Sequence, residues 1–320
     1  MQIVEASSRQ LERWDERVGQ SLNGTIFHRR SFLTYHGDRF AKAERYLLAL
    51  DGTSVRAQIA LTIHDGGNER MALSPYGGSY GSFVLMEQPT YSMARDLVVS
   101  FNDYLREQRI DRFVTTPPIA CCAVNPLDVL YFAMLTHGYR SVSRDLSSIV
   151  KFMTDRQVSD QVSSRARNMA RKAQARNITV KRGNLADFWR VLQQTFERHG
   201  TRPTHSLSDL EYLSDKHPGQ IYFDVAYDDK GEPLAGVGYF VINSRVNSSF
   251  YLCQNPVRAE DQALSLLILY ALEDSQNAGF SFFDFGTSTI GMVPRDNILR
   301  FKESFSKLAT FRETFEWAAA

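Results

Sequence analysis

A carboxylate, a turn of small residues and a cation follow one another near the C-terminal end of the chain. Residues 282–289 read FFDFGTST, in which Asp284 lies inside an apolar, strand-like run that leads to Gly286, Thr287 and Ser288. Such a carboxylate is costly to bury unless it is paired, which makes Asp284 a candidate for a site or an ion pair. Further on stands Lys302, which is expected to lie on a return strand after the loop. The stretch is either a polar loop or the rim of a site into which this lysine points.

A second candidate site lies before the most clearly predicted helix. A strand, SSFYLCQ, is followed by NPVRAED and by a helix with a Leu/Ile stripe. Unpaired N–H groups at a helix start can hold phosphate, so an acyl carrier such as coenzyme A, or the end of a charged tRNA, could bind here. The loop lacks a glycine-rich phosphate-binding pattern, and Glu260 and Asp261 are expected to place negative charge there. The predicted cofactor-binding residues are Asn255, Val257, Arg258, Ala259, Gln262 and Ala263.

The glycine-rich segment SPYGGSYG is a third candidate. Its GGSYG, residues 77–81, matches G-x-S-x-G with Ser79 in the nucleophile position. A hydrolase elbow needs a helix directly afterwards, whereas an extended, proline-stopped segment follows here. A flexible loop that brings its backbone close to a ligand is the favoured interpretation. From this loop, Ser74, Tyr76, Gly77 and Gly78 are predicted to bind substrate.

Composition limits the classes of function. The chain has 320 residues, 43% hydrophobic and 23% charged, with a formal net charge of +1. General binding to DNA or to a membrane surface would leave a larger basic excess, so any cation-dependent binding is expected to be local. The three cysteines have no C-x-x-C or other metal-ligand spacing, which argues for a reducing compartment and against zinc. With no signal peptide or long apolar run, a cytoplasmic protein without a membrane span is expected.

The elements repeat along the chain. Each half contains strand-like runs joined by hairpin turns, then a polar loop, an amphipathic helix and a closing strand. This predicts an α+β (mixed α/β) fold of two tandem domains, 1–150 and 151–320, each a mostly antiparallel sheet flanked by helices. Two unrelated α+β domains are the alternative. The prediction leaves open that the segment after about residue 300 packs back on the first domain.

Positive charge is concentrated between the halves. The segment SDQVSSRARNMARKAQARNITVKR predicts a helix capped by Ser159 or Asp160. Its cations form either a solvated face or a phosphate-binding surface. A second helix, from about Asn184 to Gly200, leads into HGTRP, in which His199 and Arg202 occupy a loop. The basic residues predicted to contact substrate are Arg165, Arg171, Lys172 and Arg202.

Five segments together resemble the Fem-like branch of the GNAT superfamily, which includes tandem-GNAT acyltransferases and aminoacyl-tRNA-dependent peptidyltransferases. In order they are IFHRRSFLTYHGDRF, SPYGGSYGSF, RNMARKAQARNITV, HGTRP and FDFGTST…LRFKESFS. The resemblance covers nearly the whole chain, and the order of the segments carries it.

The resemblance implies roles for several residues. A Phe-Lys pair after the last strand lies at the acyl-transfer point in the family's peptidyltransferases, and Phe301-Lys302 matches it. Lys302 would then stabilise an oxyanion; a lysine that only snorkels from an amphipathic C-terminal strand is the alternative. The position of a basic, phosphate-binding residue falls near Tyr35-His36, where histidine replaces lysine. The catalytic prediction is therefore Lys302 and Asp284, with Tyr35, His36, Gly286, Thr287, Ser288 and Phe301 at the substrate.

The expected function is transfer of an acyl or aminoacyl group to an amine of a cell-envelope or polysaccharide precursor, with a small-molecule, lipid-linked or nucleotide-linked substrate. The donor is acyl-coenzyme A or another acyl thioester, with aminoacyl-tRNA as the alternative; the low net charge argues against tRNA. A degenerate scaffold that binds a ligand or partner without turnover is the other hypothesis. The sequence identifies neither the acceptor nor the oligomeric state.

Overall fold

The computed structural model describes residues 1–67, 69–198 and 200–319. Within them the chain forms two compact units: unit 1 contains residues 1–145 and the C-terminal segment from Phe311, and unit 2 contains residues 146–310. The predicted boundary near residue 150 lies five residues away from this division. His199, a loop candidate from the sequence, lies outside the described residues. No helix in the described ranges is both long enough and apolar enough to cross a lipid bilayer.

Helices and strands alternate in both units. The α-helices are α1 Ser8–Glu12, α2 Trp14–Gln20, α3 Arg30–Leu33, α4 Tyr91–Glu107, α5 Asp128–Thr136, α6 Val158–Gln161, α7 Ser164–Gln174, α8 Leu185–Arg198, α9 Leu207–Lys216, α10 Ala263–Asn277 and α11 Asp296–Glu303. The strands are β1 Gln2–Glu5, β2 Glu44–Asp51, β3 Ser54–Gly66, β4 Glu69–Ser74, β5 Val84–Leu85, β6 Arg112–Thr115, β7 Tyr139–Lys151, β8 Thr179–Arg182, β9 Ile221–Tyr227, β10 Pro233–Asn243, β11 Val246–Gln254, β12 Phe282–Thr287, β13 Thr289–Ile290, β14 Val293–Pro294 and β15 Leu308–Ala318.

The sheet of unit 1 has the order β1-β2-β3-β4-β6-β15, and β5 pairs with β3. Its neighbours are antiparallel except for β4 and β6, which are parallel because α4 connects them. The predicted helical spacing of α4 is confirmed, since Leu97, Val98, Phe101 and Leu105 are fully buried. They pack with residues of β3, β6 and α5 in one hydrophobic core.

Unit 2 repeats this plan. Its sheet has the order β7-β12-β11-β10-β9-β8, and again one neighbouring pair, β11 and β12, is parallel, with α10 between them. The apolar stripe of α10 and the inner residues of α7 form a core with β10 and β12. The predicted order of strand, hairpin, strand, helix and strand is therefore present twice, and the α+β fold class is confirmed.

Two local predictions are wrong. Ser159 and Asp160 do not cap the basic helix; they lie in the short helix α6, and the Oγ of Ser163 caps α7 by accepting from Ala166 N at 3.1 Å. Lys302 does not lie on a return strand, because residues 296–303 form α11 and the final strand begins at Leu308. Helix geometry points Lys302 back towards the strand end that precedes it.

Candidate active site

The candidate site of unit 2 lies where β11 and β12 stop pairing. Their register pairs run from Val246↔Phe282 to Ser248↔Asp284, although both strands continue. Just beyond this point Phe250 is an extra residue of β11 opposite β10, and β12 has an extra residue opposite β7 between Asp284 and Thr287. Bulges bend and twist the strands that carry them. The two strands therefore diverge at their C-terminal ends.

Gly286 forms the bulge of β12. Its φ of 70° lies in the left-handed region, which glycine adopts at little cost. The backbone N–H of Gly286 donates to Oδ1 of Asp284 at 2.9 Å, so that the carboxylate closes the bulge. The backbone conformation at the strand end therefore favours the small residue noted in the sequence.

Asp284 is buried among hydrogen-bond donors. Oδ1 also accepts from the hydroxyl of Ser147 on β7 at 2.6 Å, and the hydroxyl of Ser248 on β11 lies 3.4 Å from Oδ2 and 2.9 Å from the backbone carbonyl oxygen of Asp284. Burial raises the pKa of the Asp284 carboxyl, while the Ser147 and Gly286 hydrogen bonds and the charge of Lys302 oppose the rise. The carboxylate thus joins three neighbouring strands.

Lys302 reaches the same strand end from α11. Its side chain is buried, and Nζ donates to the carbonyl oxygens of Gly286 and Thr287, each at 2.9 Å. An ammonium has three N–H donors, so these bonds leave one for another acceptor. Burial lowers the pKa of Lys302 to about 8, although the charge of Asp284 favours the protonated form. Phe301, the preceding residue, packs on Phe305 in the core of unit 2.

The sequence indicated Asp284, Gly286, Thr287, Ser288 and Lys302 but missed Ser147 and Ser248. Ser147, Ser248 and Ser288 are buried, and the hydroxyl of Ser288 lies 3.2 Å from that of Ser148. The available signal was a pair of serines in each of two otherwise apolar runs, SSIV and NSSFY. Polar side chains at such positions usually hydrogen-bond to another buried group.

The loop between β11 and α10 is held by polar contacts. Asn255 caps a short 3₁₀ turn by accepting from Val257 N at 3.0 Å, and Gln262, at φ 62°, precedes the buried Ala263 at the start of α10. Ala259 accepts from Gln262 through its backbone carbonyl oxygen. Val257 is 85% exposed.

The expectation of uncompensated negative charge in this loop is wrong for Asp261. Its carboxylate accepts from Arg258, at 2.6 Å, and from Arg176, which follows α7. Arg258 also contacts Asp228 at 3.4 Å. Two guanidinium groups therefore offset one buried carboxylate, and the start of α10 is less acidic than its sequence indicates.

The remaining basic candidates of unit 2 lie on its surface. Arg165, Arg171 and Lys172 are exposed on α7. Arg202 is exposed in the loop after α8. The end of that loop is anchored at His205, whose Nδ1 lies 2.8 Å from the hydroxyl of Tyr251 on β11.

In unit 1 the structure brings together Tyr35, His36 and Gly77. The Tyr35 hydroxyl donates to the carbonyl oxygen of Gly77, and Nε2 of His36 lies near the same oxygen, both at 3.1 Å. Gly77 has φ 64°, and a Cβ there would overlap the imidazole of His36. Tyr76 is buried against Phe40, and its hydroxyl donates to that of Tyr46.

Other residues of the glycine-rich loop hold its shape. Ser74 is buried and its hydroxyl donates to Ala60 O at 2.8 Å, while Gly78 lies beside Phe27. No helix follows Ser79 directly; the chain continues into β5, so the context of a hydrolase elbow is missing. The carbonyl oxygen of Ser79 accepts from Arg312 at 2.7 Å.

Solved structures share this architecture over the whole chain. FemX aligns with 100% of this chain and 98% of its own, with a TM-score of 0.75 and 12% identity. The fold is that of a Fem-like tandem GNAT. A tandem GNAT protein from the clavulanic acid biosynthesis pathway aligns over 100% and 98% of the two chains, with a TM-score of 0.56 and 12% identity.

A third neighbour is the C-terminal domain of a putative lysylphosphatidylglycerol synthetase from Agrobacterium fabrum, with a TM-score of 0.59, 12% identity, and coverage of 97% of this chain and 92% of that one. No family model matches the sequence, and no curated protein matches it either. At these identities the Fem-like fold is what the comparisons show, and it agrees with the resemblance seen in the sequence.

Proposed function

We propose that this protein is an acyltransferase that moves an acyl or aminoacyl group from an activated donor to an amine of a cell-envelope or polysaccharide precursor. The observation that carries the proposal is the position of Lys302. A buried ammonium, held by two carbonyl oxygens at the end of β12, is directed at the point where β11 and β12 diverge. The fold shared with FemX and with a tandem GNAT protein supports the same reaction class.

In this reaction the acceptor amine attacks the acyl carbonyl carbon, and the carbonyl oxygen becomes an oxyanion. The remaining N–H of Lys302 stabilises that oxyanion, and the donor's thiolate or alkoxide then leaves as the C–S or C–O bond breaks. A preorganised donor in a dry site stabilises such charge by several kcal/mol. The amine loses one proton, which passes to the leaving group directly or through water.

Asp284 serves in this proposal mainly as a positioning residue. Both of its oxygens face donors from the protein, namely Ser147, Ser248 and Gly286. It closes the bulge whose carbonyl oxygen holds Lys302, and its negative charge favours the ammonium form of that lysine. Proton transfer to Asp284 itself is the competing role, and a conservative substitution separates the two roles, as described below.

For the donor we favour acyl-coenzyme A or another acyl thioester. Beyond Ser248, β11 runs on without register pairs to β12, so its edge can accept the amides of an extended chain. The loop from Asn255 to Ala263 would face the phosphates at the start of α10, where Arg258 and Arg176 offset the charge of Asp261. In this proposal Arg258 contacts the pyrophosphate.

Aminoacyl-tRNA is the second candidate donor, and one observation favours it. Residues 161–186 contain seven Arg or Lys and no Asp or Glu. Arg176 and Arg182 form ion pairs within unit 2, whereas Arg165, Arg171 and Lys172 are exposed on α7. Three adjacent cations can contact the phosphates of an acceptor stem.

The test begins with binding. Thermal shift and calorimetry would be measured with acetyl-coenzyme A, a long-chain acyl-coenzyme A, free coenzyme A and a charged tRNA. Transfer to a panel of amines, including amino sugars and peptidoglycan-precursor peptides, would then be followed by mass spectrometry. Binding of acyl-coenzyme A with transfer supports the favoured donor. Turnover with charged tRNA alone would identify aminoacyl-tRNA as the donor instead. Binding without turnover would favour a non-catalytic scaffold.

Lys302→Met is the decisive variant, because methionine has a similar volume and an unbranched side chain but removes the charge. We expect kcat to fall about 10²–10³-fold with little change in donor binding. Lys307→Met is the matched control, since Lys307 is exposed and lies five positions further along the chain. Full activity in a folded Lys302→Met protein would end the catalytic assignment.

A further inference from the structure

A short hairpin stands between the β12 strand end and α11. Strands β13 and β14 pair Thr289 with Pro294 and Ile290 with Val293. Gly291 and Met292 join them with φ values of 56° and 63°, the geometry of a tight type I′ turn. We call residues 289–294 the apolar hairpin.

The base of the apolar hairpin is fixed to unit 2. Leu146 N donates to Oγ1 of Thr289 at 2.9 Å, Ser288 N donates to Leu146 O at 2.8 Å, and Arg295 N donates to Ser288 O at 3.0 Å. A two-stranded ribbon has little stability of its own, so these bonds hold it in place. The ribbon is thus anchored at its base while its tip is exposed.

The polarity of the ribbon is the reverse of that expected for a solvent-facing hairpin. The polar Thr289 is 5% exposed, whereas Ile290 is 62%, Met292 58% and Val293 62% exposed. Ile290 and Val293 are directly opposite each other, so their side chains share one face. A hairpin that faces water normally turns its polar residues outward. The exposed apolar face would therefore be more stable in an apolar environment than in water.

Cations lie immediately behind this apolar tip. Residues 285–294 contain no charged side chain, and Arg295 and Arg300 follow, both exposed. Ile298, 46% exposed, stands between them on α11. Within the described ranges neither guanidinium forms an ion pair with a carboxylate, although Asp296 and Glu303 are exposed on the same helix. Apolar residues at a tip with arginines behind them match the layers of an anionic bilayer.

We infer that the apolar hairpin docks unit 2 on an anionic lipid bilayer. The side chains of Ile290, Met292 and Val293 would enter the boundary between head groups and acyl chains, and Arg295 and Arg300 would contact lipid phosphates. A protein partner fits less well, because a stable protein interface covers about 800 Å² on each side, far more than a four-residue ribbon tip offers. A bilayer accepts a few inserted side chains from a narrow projection.

The test measures vesicle binding without any donor or acceptor, so its outcome does not depend on the proposed transfer chemistry. The full-length chain would be sedimented with vesicles of phosphatidylglycerol and phosphatidylcholine mixed 1:1 (about equal parts) and with pure phosphatidylcholine vesicles. We expect binding to the anionic vesicles that weakens as salt is added. The double variant Ile290→Asp/Val293→Asp should bind at least about tenfold more weakly, because two charges would enter the acyl boundary.

Matched controls come from unit 1. Val124 is 52% exposed, and Val124→Asp adds the same kind of charge to unit 1. Arg295→Gln/Arg300→Gln should weaken binding to anionic vesicles and flatten its salt dependence, whereas Arg9→Gln/Lys42→Gln removes two exposed cations elsewhere. Circular dichroism and thermal unfolding would show that each variant is folded.

Several outcomes would overturn the inference. These are absence of wild-type binding to the anionic vesicles, equal binding by the wild type and the Ile290→Asp/Val293→Asp variant, and equal loss in Val124→Asp. Analytical ultracentrifugation tests whether the hairpin instead forms a dimer interface. If the wild type dimerises and the hairpin variant does not, a second copy of the chain occupies this face, and the bilayer assignment is wrong.

Discussion

Units 1 and 2 repeat one element order but end their parallel strand pairs in different ways. In unit 1 the pairing of β4 with β6 continues to the last residues of both strands, Ser74↔Thr115. In unit 2 the corresponding pairs stop at Ser248↔Asp284, and both strands then carry a bulge. One sheet design therefore gives a closed strand end in unit 1 and an open one in unit 2.

What occupies the strand end differs accordingly. In unit 1 the glycine-rich loop folds over it: Thr116 N donates to Ser74 O at 3.0 Å, and Gly81 N donates to Thr116 O at 2.8 Å. In unit 2 the carbonyl oxygens at the end of β12, those of Gly286 and Thr287, accept from the ammonium of Lys302. In unit 1 backbone N–H groups donate to the carbonyl oxygens at the strand end, whereas in unit 2 the donor is a titratable side chain. The proposed transfer chemistry is therefore assigned to unit 2.

The largest effect on stability is expected from a substitution at the closed strand end of unit 1. A Cβ on Gly81 would lie 2.4 Å from both Ser74 C and Pro75 N, which are backbone atoms and cannot move aside cheaply. We expect Gly81→Ala to lower the free energy of unfolding by about 3 kcal/mol. Urea unfolding would measure it. Gly19→Ala is the control, because its Cβ finds space within α2 and should be neutral or stabilising.

If Gly81→Ala unfolds at the same urea concentration as the wild type, the glycine-rich loop does not close the end of β4 and β6 as described. The contrast between the two units would then rest on the bulges of unit 2 alone.

Transfer at the open strand end of unit 2 should depend on pH through the ionisation of Lys302. Burial lowers the pKa of Lys302 to about 8, below the value of about 10.4 for an unfolded lysine. Transfer that requires the ammonium should therefore decline above pH 8, about tenfold for each further pH unit. Lys302→Met should lack this alkaline limb. A wild-type profile identical in shape to that of Lys302→Met would contradict the role of the ammonium.

The same shift has a consequence for stability, with a defined sign. Between about pH 8 and pH 10.4 the unfolded lysine still binds a proton that the folded one has released. The contribution of Lys302 to the free energy of unfolding therefore rises with pH across this window. Comparing the wild type with Lys302→Met by urea unfolding at several pH values would show it.

A substitution in the β12 bulge should have a smaller effect on stability. Gly286 has φ 70°, and no atom lies within 4 Å of the position a Cβ would take. Gly286→Ala should therefore cost only the strain of the left-handed backbone, about 1 kcal/mol, without a clash. Urea unfolding measures this cost. A loss as large as that of Gly81→Ala would show that the open end is as tightly packed as the closed one.

The sequence predicted the repeated fold but not this contrast between the two strand ends. Hairpin turns and the α10 stripe predicted the repeated elements, and the unusual carboxylate Asp284 indicated the strand end of the candidate site. The partners of Asp284 could not be read, because Ser147 lies 137 positions away and its position depends on the register between β7 and β12. Register depends on bulges, and the extra residue Phe250 has no distinct local pattern.

The position of Lys302 was also only partly predictable. The Phe-Lys pair indicated Lys302 as a catalytic candidate. Its element was predicted wrongly, because an aromatic residue beside a cation is common to strands and to amphipathic helices. The direction of the lysine depends on contacts that are distant in sequence, because Nζ donates to the carbonyl oxygens of Gly286 and Thr287, 16 and 15 positions away. The pairing of Asp261 with Arg176, 85 positions apart, was hidden for the same reason.

The smallest expected effect separates the two roles of Asp284. In Asp284→Asn the amide oxygen can still accept from Ser147 and Gly286, and the amide nitrogen can donate to the hydroxyl of Ser248. The bulge should therefore persist, with a stability change below about 1 kcal/mol. The negative charge that favours protonated Lys302 is lost, so the alkaline limb of the pH profile should move to lower pH, with kcat retained below it. A uniform fall in kcat at every pH would instead make Asp284 a proton acceptor in the transfer, and the open strand end would then hold both an acid–base group and an oxyanion donor.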